Sequence, residues 1–219
     1  VDIAEAFAGP VTGGLAAATV FACMFFGAIS GSGPATTAAV GMLMIPAMAN
    51  RGYDRGYASA ITASSGGLGV VIPPSIPMVI FGISGMGLQP PPEAVAEHGA
   101  FQTLSIPKLF IAGIVPGVVI AGCLLTINYF ISRRRGYCGL TDHWSWPQIY
   151  STLRKGVWSM LAPIIILGGI YSGLFTPTES AIVAIFYTLV VGVFLHKELA
   201  WKPALRTLQT TTWITGRVL

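Results

Sequence analysis

The chain has 219 residues, of which 9% are charged, with a mean hydropathy of +0.73 and a formal net charge of +4. A soluble domain of this length would carry about a quarter charged residues, yet no charge falls between Glu5 and Arg51, Arg55 and Glu93, Lys108 and Arg133, or Lys155 and Glu179. These gaps exclude an ordinary soluble domain and predict an all-α polytopic membrane protein, because about 20 apolar residues of helix cross a hydrocarbon core.

The uncharged run from Ala6 to Asn50 opens with an Ala/Gly-rich stretch of spanning length, about 10–29, of the kind that lets helices approach closely. Without an intervening charge it enters Ser30-Gly31-Ser32-Gly33-Pro34-Ala35-Thr36-Thr37 and continues to Asn50. Two full spans would place this Ser/Gly cluster at a surface turn, whereas one span followed by a re-entrant hairpin over about 30–50 keeps it inside the membrane. Pattern alone does not choose between them.

After the polar turn Arg51–Gly56, a segment over about 57–87 is interrupted by Ser64-Ser65-Gly66-Gly67 and then by Ile72-Pro73-Pro74-Ser75-Ile76-Pro77. Proline removes a helical hydrogen bond, so a broken helix with an unwound middle is expected. A Pro-rich loop over about 88–108 carries Glu93 and Glu97, and a plain span follows at 109–132. The next loop, 133–155, holds five basic residues against Asp142 alone, which predicts a cytoplasmic position for it and a periplasmic one for 88–108. Trp144, Trp146 and Trp158 read as interfacial anchors. Spans are expected at 156–175 and 180–196, with a further apolar stretch opening after Leu208. The start at Val1-Asp2-Ile3 and that last stretch are what a piece of a longer protein is expected to look like. Cys23, Cys123 and Cys138 give no disulfide framework.

Two clusters could carry chemistry. Hydroxyls and free carbonyls within Ser30–Thr37 suit a hard cation such as sodium, which needs no carboxylate in its shell, although small and hydroxyl residues also make packing surfaces. Carbonyls freed before Pro73 and Pro74 suit the same ion, and the start of a half-helix near Ser75 would turn its positive dipole end and open amides toward an anion. Thr176-Pro177-Thr178-Glu179 reads as a capping box with a proline in the first turn. No enzyme is expected. Ile29-Ser30-Gly31-Ser32-Gly33 superficially resembles a nucleophile motif, but His98, His143 and His196 lie in loops or at a helix end, leaving no general base at membrane depth. There is likewise no Walker lysine, no metal-ligand spacing and no acid pair suited to a proton relay, which favours sodium over the proton.

Several motifs in order resemble the large membrane subunit of tripartite ATP-independent periplasmic (TRAP) transporters. They are Phe26-Gly27-Ala28-Ile29-Ser30-Gly31-Ser32, Ala38-Ala39-Val40-Gly41, Ile45-Pro46-Ala47-Met48, Gly52-Tyr53, Ala63-Ser64-Ser65-Gly66-Gly67-Leu68-Gly69, Ile72-Pro73-Pro74-Ser75 and Phe175-Thr176-Pro177-Thr178-Glu179. The resemblance implies a sodium-driven, elevator-type importer of small organic acids such as C4-dicarboxylates, 2-keto acids or sialic acid, built from two inverted halves. It places Ser30–Thr37 in the re-entrant hairpin and makes Ser64–Gly67 with Pro73–Ser75 the unwound stretch. One half of the inverted repeat is present, and the family's second hairpin and second Pro-Pro break have no counterpart in the chain. On this reading Ser30, Ser32, Ser64, Gly66 and Pro73 coordinate sodium, while Thr36 and Ser75 lie nearer the substrate carboxylate. Sodium is the coupling ion, with no other cofactor or metal. The implied partners are a small four-helix membrane subunit, a periplasmic substrate-binding protein and the bilayer, with no nucleic acid, and the implied location is the bacterial inner membrane. The alternatives are a binding-protein-independent sodium:dicarboxylate or citrate symporter, a membrane scaffold, or the permease of an ATP-driven importer.

Overall fold

The computed structural model describes residues 11–85, 105–137 and 146–195, with positions 139, 209–210, 212–213 and 216. Among them all regular structure is helical. Helix α1 (Gly14–Ser30) is bracketed by Gly13 and Gly31, both left-handed at φ 73° and 63°, a conformation that glycine adopts without cost. Helix α2 (Gly33–Asn50) starts at once: the Ser32 side chain accepts from the Ala35 amide, and Pro34 fits the first turn, where its missing N–H costs nothing. The chain therefore reverses within three residues, and α1 and α2 lie side by side from Ser30–Thr36 at the tip to Thr19–Met48 near the base.

Helix α3 (Arg55–Gly66) is capped by Asp54, which accepts from the Tyr57 amide at 2.9 Å. It packs antiparallel to α2 and also against α1, with Tyr57, Ala58, Ile61, Thr62, Ser65 and Gly66 turned inward. A short α4 (Leu68–Val71) follows, then an irregular stretch with a cis Pro73–Pro74 peptide, then α5 (Ile76–Gly85). Helix α6 (Ile106–Arg135) is the longest element, at 30 residues. Helix α7 (Trp146–Tyr171) and α8 (Pro177–Val190) make an antiparallel pair, tied where the Tyr187 hydroxyl donates to the Trp158 carbonyl at 2.6 Å; a π-helical turn, Val191–Leu195, ends it.

One end of the bundle collects the base of the hairpin, the α2–α3 link and the C-terminus of α6. The Gly13 amide donates to the Tyr137 carbonyl at 3.1 Å, the Tyr137 hydroxyl accepts from the Asp54 amide at 3.0 Å, and Arg135 pairs with Asp54 at 3.6 Å. Tyr53 stacks on Tyr57 and Tyr137, and the Arg135 guanidinium lies 5.6 Å from the Tyr57 ring centre. Beneath them Asn128, 1% exposed, accepts from the Tyr57 hydroxyl at 2.6 Å and from Ser132 at 3.0 Å, and donates to the Gly13 carbonyl at 3.2 Å. This is the basic end.

Gly113 and Gly117 of α6 admit Val71, Ile72 and Met78 from the break. At 1.5 Å per residue, that level is roughly 30 Å from Arg135 and about 13 Å from Ile106. Both arms of α1–α2 thus start at the basic end, and their tip stops inside the length of α6. This geometry differs from the expected division into a span at 10–29 and a hairpin at 30–50. The two stretches are the arms of a single hairpin, because left-handed Gly31 and Pro34 turn the chain back on itself.

The expected loop 133–155 is also shorter than anticipated. Helix α6 runs on through Arg135 until left-handed Gly136 ends it, and α7 already begins at Trp146. Trp158 is exposed on α7, whereas Trp144 and most of the expected loop 88–108 lie outside the described residues.

The capping box at α8 is present in full. Thr176 accepts from the Glu179 amide at 3.3 Å, and Glu179 accepts from the Thr176 amide at 2.8 Å. Thr176→Ala should therefore lower the stability of the intact protein by about 1 kcal/mol in thermal unfolding; a change below about 0.3 kcal/mol would mean the cap is dispensable.

Candidate functional site

The hairpin tip and the broken helix meet backbone to backbone. A Cβ on Gly27 would stand 2.7 Å from Gly69 Cα, one on Gly33 2.9 Å from Val70 Cγ2, and one on Gly66 2.9 Å from Thr37 Cβ. Glycine at these positions allows an approach that side chains would block. The Ile76 amide, which in a continuous helix would serve Ile72, donates instead to the Gly31 carbonyl at 3.2 Å. Pro73 and Pro77 have no N–H, so the carbonyls of Gly69 and Pro73 lose their helical donors as well. Pro74 likewise strands the Val70 carbonyl, which the Ser75 hydroxyl satisfies.

Around this junction the oxygens are dense and neutral. Ser30 Oγ and Thr36 Oγ1 are 2.9 Å apart, and the Thr36 hydroxyl donates to the Ser32 carbonyl at 2.7 Å. The Ser32 amide donates to Ser30 Oγ at 3.3 Å, and Thr37 donates to the Gly33 carbonyl at 3.0 Å. A Cβ on Gly69 would stand 2.9 Å from the Ser32 carbonyl oxygen, which places that oxygen over α4. Ser65 is fully buried on the α3 face toward the hairpin, and its hydroxyl has no hydrogen-bond partner. Buried hydroxyls are nearly always paired, so Ser65 has room for a partner from outside the chain, a water or an ion.

Of the residues expected to hold a cation, Ser30, Ser32, Gly66 and Pro73 are brought together at this junction. Ser64 is not: it is exposed, one residue out of phase with Ser65. The expected unwinding at 64–67 is reduced to one residue: 64–66 are helical, right-handed Gly67 interrupts the ladder between α3 and α4, and the extended break lies at 72–75. Thr36, expected near a substrate carboxylate, is completely buried, bonded to the Ser32 carbonyl and to Ser30 at the pocket edge.

Beside the junction lies a pocket of about 270 Å³, whose lining includes Ser30, Gly31, Ser75, Val79, Ile166 and Ser180, with no charged side chain among its lining residues. Ser75 therefore lines a cavity. The amides at the start of α5 are not open, however: Ile76 serves Gly31, Met78 serves Ser75 Oγ, Val79 serves the Ser75 carbonyl, and Pro77 has none. Ser65, Gly69, Ile166 and Ser180 were missed by the sequence reading. The first two were legible, since Ile61, Ser65 and Gly69 recur every four residues on one helical stripe. Ile166 and Ser180 come from α7 and α8, and no local pattern ties them to the hairpin.

An apolar chain whose described residues are all helical, with a hairpin tip seated in a proline break, has the architecture of a polytopic helical membrane protein. The family model for the DctM component of tripartite ATP-independent periplasmic transporters matches residues 1–219, and the chain belongs to that family. It is 42% identical over 200 residues to the isethionate TRAP transporter permease protein DctMQ of Oleidesulfovibrio alaskensis, covering 91% of this chain and 29% of that relative. It is 35% identical to the C4-dicarboxylate TRAP transporter large permease protein DctM of Rhodobacter capsulatus, covering 100% of this chain and 49% of the relative. The sialic acid TRAP transporter permease protein SiaT of Haemophilus influenzae is 39% identical, with coverage of 99% and 32%. The chain thus spans half the length, or less, of the relatives it matches.

Proposed function

We propose that this chain is part of the permease subunit of a sodium-coupled secondary transporter that imports a small organic acid. The observation that carries the coupling ion is the neutral oxygen cluster of Ser30, Ser32 and Thr36 seated against Gly69, with the unpartnered Ser65 hydroxyl one helical turn before Gly69. Carbonyls and hydroxyls without a carboxylate suit a monovalent hard cation. The relatives' names support an organic-acid cargo, since isethionate, a C4-dicarboxylate and sialic acid are all organic anions.

The family's tripartite name supports delivery by a periplasmic binding protein and a small membrane subunit as partner. The whole transporter would sit in the bacterial inner membrane, its basic end cytoplasmic by the excess of arginine there. The charge-free pocket beside Ser30 and Ser75 is then one wall of the cargo site, and the groups that balance a carboxylate come from outside the described residues.

Thermal unfolding of the intact transporter tests the cation. Sodium should stabilise it where potassium does not, and Thr36→Val should weaken the apparent sodium affinity about tenfold, roughly the 1.4 kcal/mol of one lost ligand. Equal stabilisation by both ions, or an unaltered sodium response in the variant, would remove the proposed site.

A further inference from the structure

The basic end carries a second feature that transport chemistry does not use. Arg51 and Arg55 flank the α2–α3 link, and Arg133 and Arg134 close α6; all four are exposed. Two segments some eighty residues apart are held together there by Asp54, which pairs with Arg135 at 3.6 Å and through its amide with the Tyr137 hydroxyl at 3.0 Å. That is the one ion pair found among the described residues, and it engages Arg135, so the other four guanidinium groups have no carboxylate partner there.

The apolar surface beside them fits a particular ligand. Ile127 and Phe130 are 53% and 60% exposed, and with Arg134 they follow at spacings of three and four residues, on one face of α6. An exposed apolar strip therefore runs straight into a guanidinium group. This sequence of surfaces, apolar and then cationic along one helix face, matches an acyl chain joined to a phosphate.

We propose that the basic end binds an acidic phospholipid, its phosphate held by Arg133 and Arg134 with Arg51 and Arg55 across the link, and its acyl chain laid on Phe130 and Ile127. Guanidinium pairs with phosphate oxygens in a fork that lysine cannot reproduce. Because the lipid would bridge the hairpin's return end and the end of α6, it fastens the same elements that Asn128 joins from inside.

The test uses the intact protein in nanodiscs of phosphatidylcholine with a minor fraction of phosphatidylglycerol, with native mass spectrometry reading the lipid retained. Phosphatidylglycerol should be enriched over its share, and Arg134→Gln or Arg55→Gln should each reduce that enrichment about fivefold, the usual effect of one basic group at an anionic surface. Lys108→Gln, at the other end of α6, should leave it unchanged. Thermal unfolding in neutral detergent should be the same for the two arginine variants and the unaltered protein, which separates lipid binding from folding. An intact protein without preference for phosphatidylglycerol would assign the patch to a protein partner and overturn the proposal. So would a preference that survives loss of all four arginines, or one that falls equally with Lys108→Gln.

Discussion

Asn128→Leu should destabilise the intact protein by about 2–3 kcal/mol in denaturant unfolding, among the largest effects expected of any single change outside the junction. Side-chain hydrogen bonds between membrane helices average only about 0.6 kcal/mol when one is broken. Asn128 is different because leucine in its place abandons three partners at once. The Tyr57 hydroxyl at 2.6 Å, the Ser132 hydroxyl at 3.0 Å and the Gly13 carbonyl at 3.2 Å all lose their contact, in a place water reaches poorly. Tyr57→Phe alone removes one bond and leaves Asn128 with two, so it should cost about 1 kcal/mol. The double variant should cost less than the sum, since the bond between the two is lost only once. Strict additivity, or an Asn128→Leu cost below about 0.5 kcal/mol, would show that the hub is not holding α1, α3 and α6 together.

Gly69→Ala and Gly122→Ala make a matched pair with opposite expected signs. The Gly69 methyl would run into the Thr36 hydroxyl and stand 2.9 Å from the Ser32 carbonyl oxygen, so the hairpin must back away from α4. Overpacking of this kind costs about 1–3 kcal/mol, and here the displaced atoms are the cluster oxygens themselves. Both unfolding temperature and sodium response of the intact transporter should therefore fall. Gly122, in the middle of α6, has nothing within 4 Å of its ideal Cβ, and alanine there should be neutral or stabilising by up to about 1 kcal/mol through helix propensity. If Gly69→Ala left both unfolding and ion response unchanged, the close approach of hairpin and broken helix would not be required.

The helical membrane character was legible because it rests on long uncharged runs, a property every segment carries by itself. The proline break was equally plain, since the missing N–H is a fact of covalent chemistry. The turn at Gly31 was located but its consequence was not: whether α1 crosses or returns depends on packing against α3 and α6, far along the chain. Ser64 and Ser65 illustrate a finer failure. Both are small hydroxyl residues in one motif, and only the helical phase set by Tyr57 and Ile61 decides which is buried. The expected opening at Ser64–Gly67 shrinks to a one-residue interruption at Gly67, because only the prolines at 73 and 74 remove donors and extend the break. Ser180 was read only as the start of the span at 180–196, and the α8 placement that brings it to the pocket is wholly tertiary.

The bond from the Ile76 amide to the Gly31 carbonyl joins main chain to main chain. Short of proline at position 76, no side-chain substitution deletes such a bond outright. Residues lining the neighbouring pocket can therefore be exchanged to suit a different cargo while the seam that aligns tip and break keeps its register. Recognition and alignment are thereby written in different parts of the polymer, the first in side chains open to change, the second in the backbone that every sequence shares.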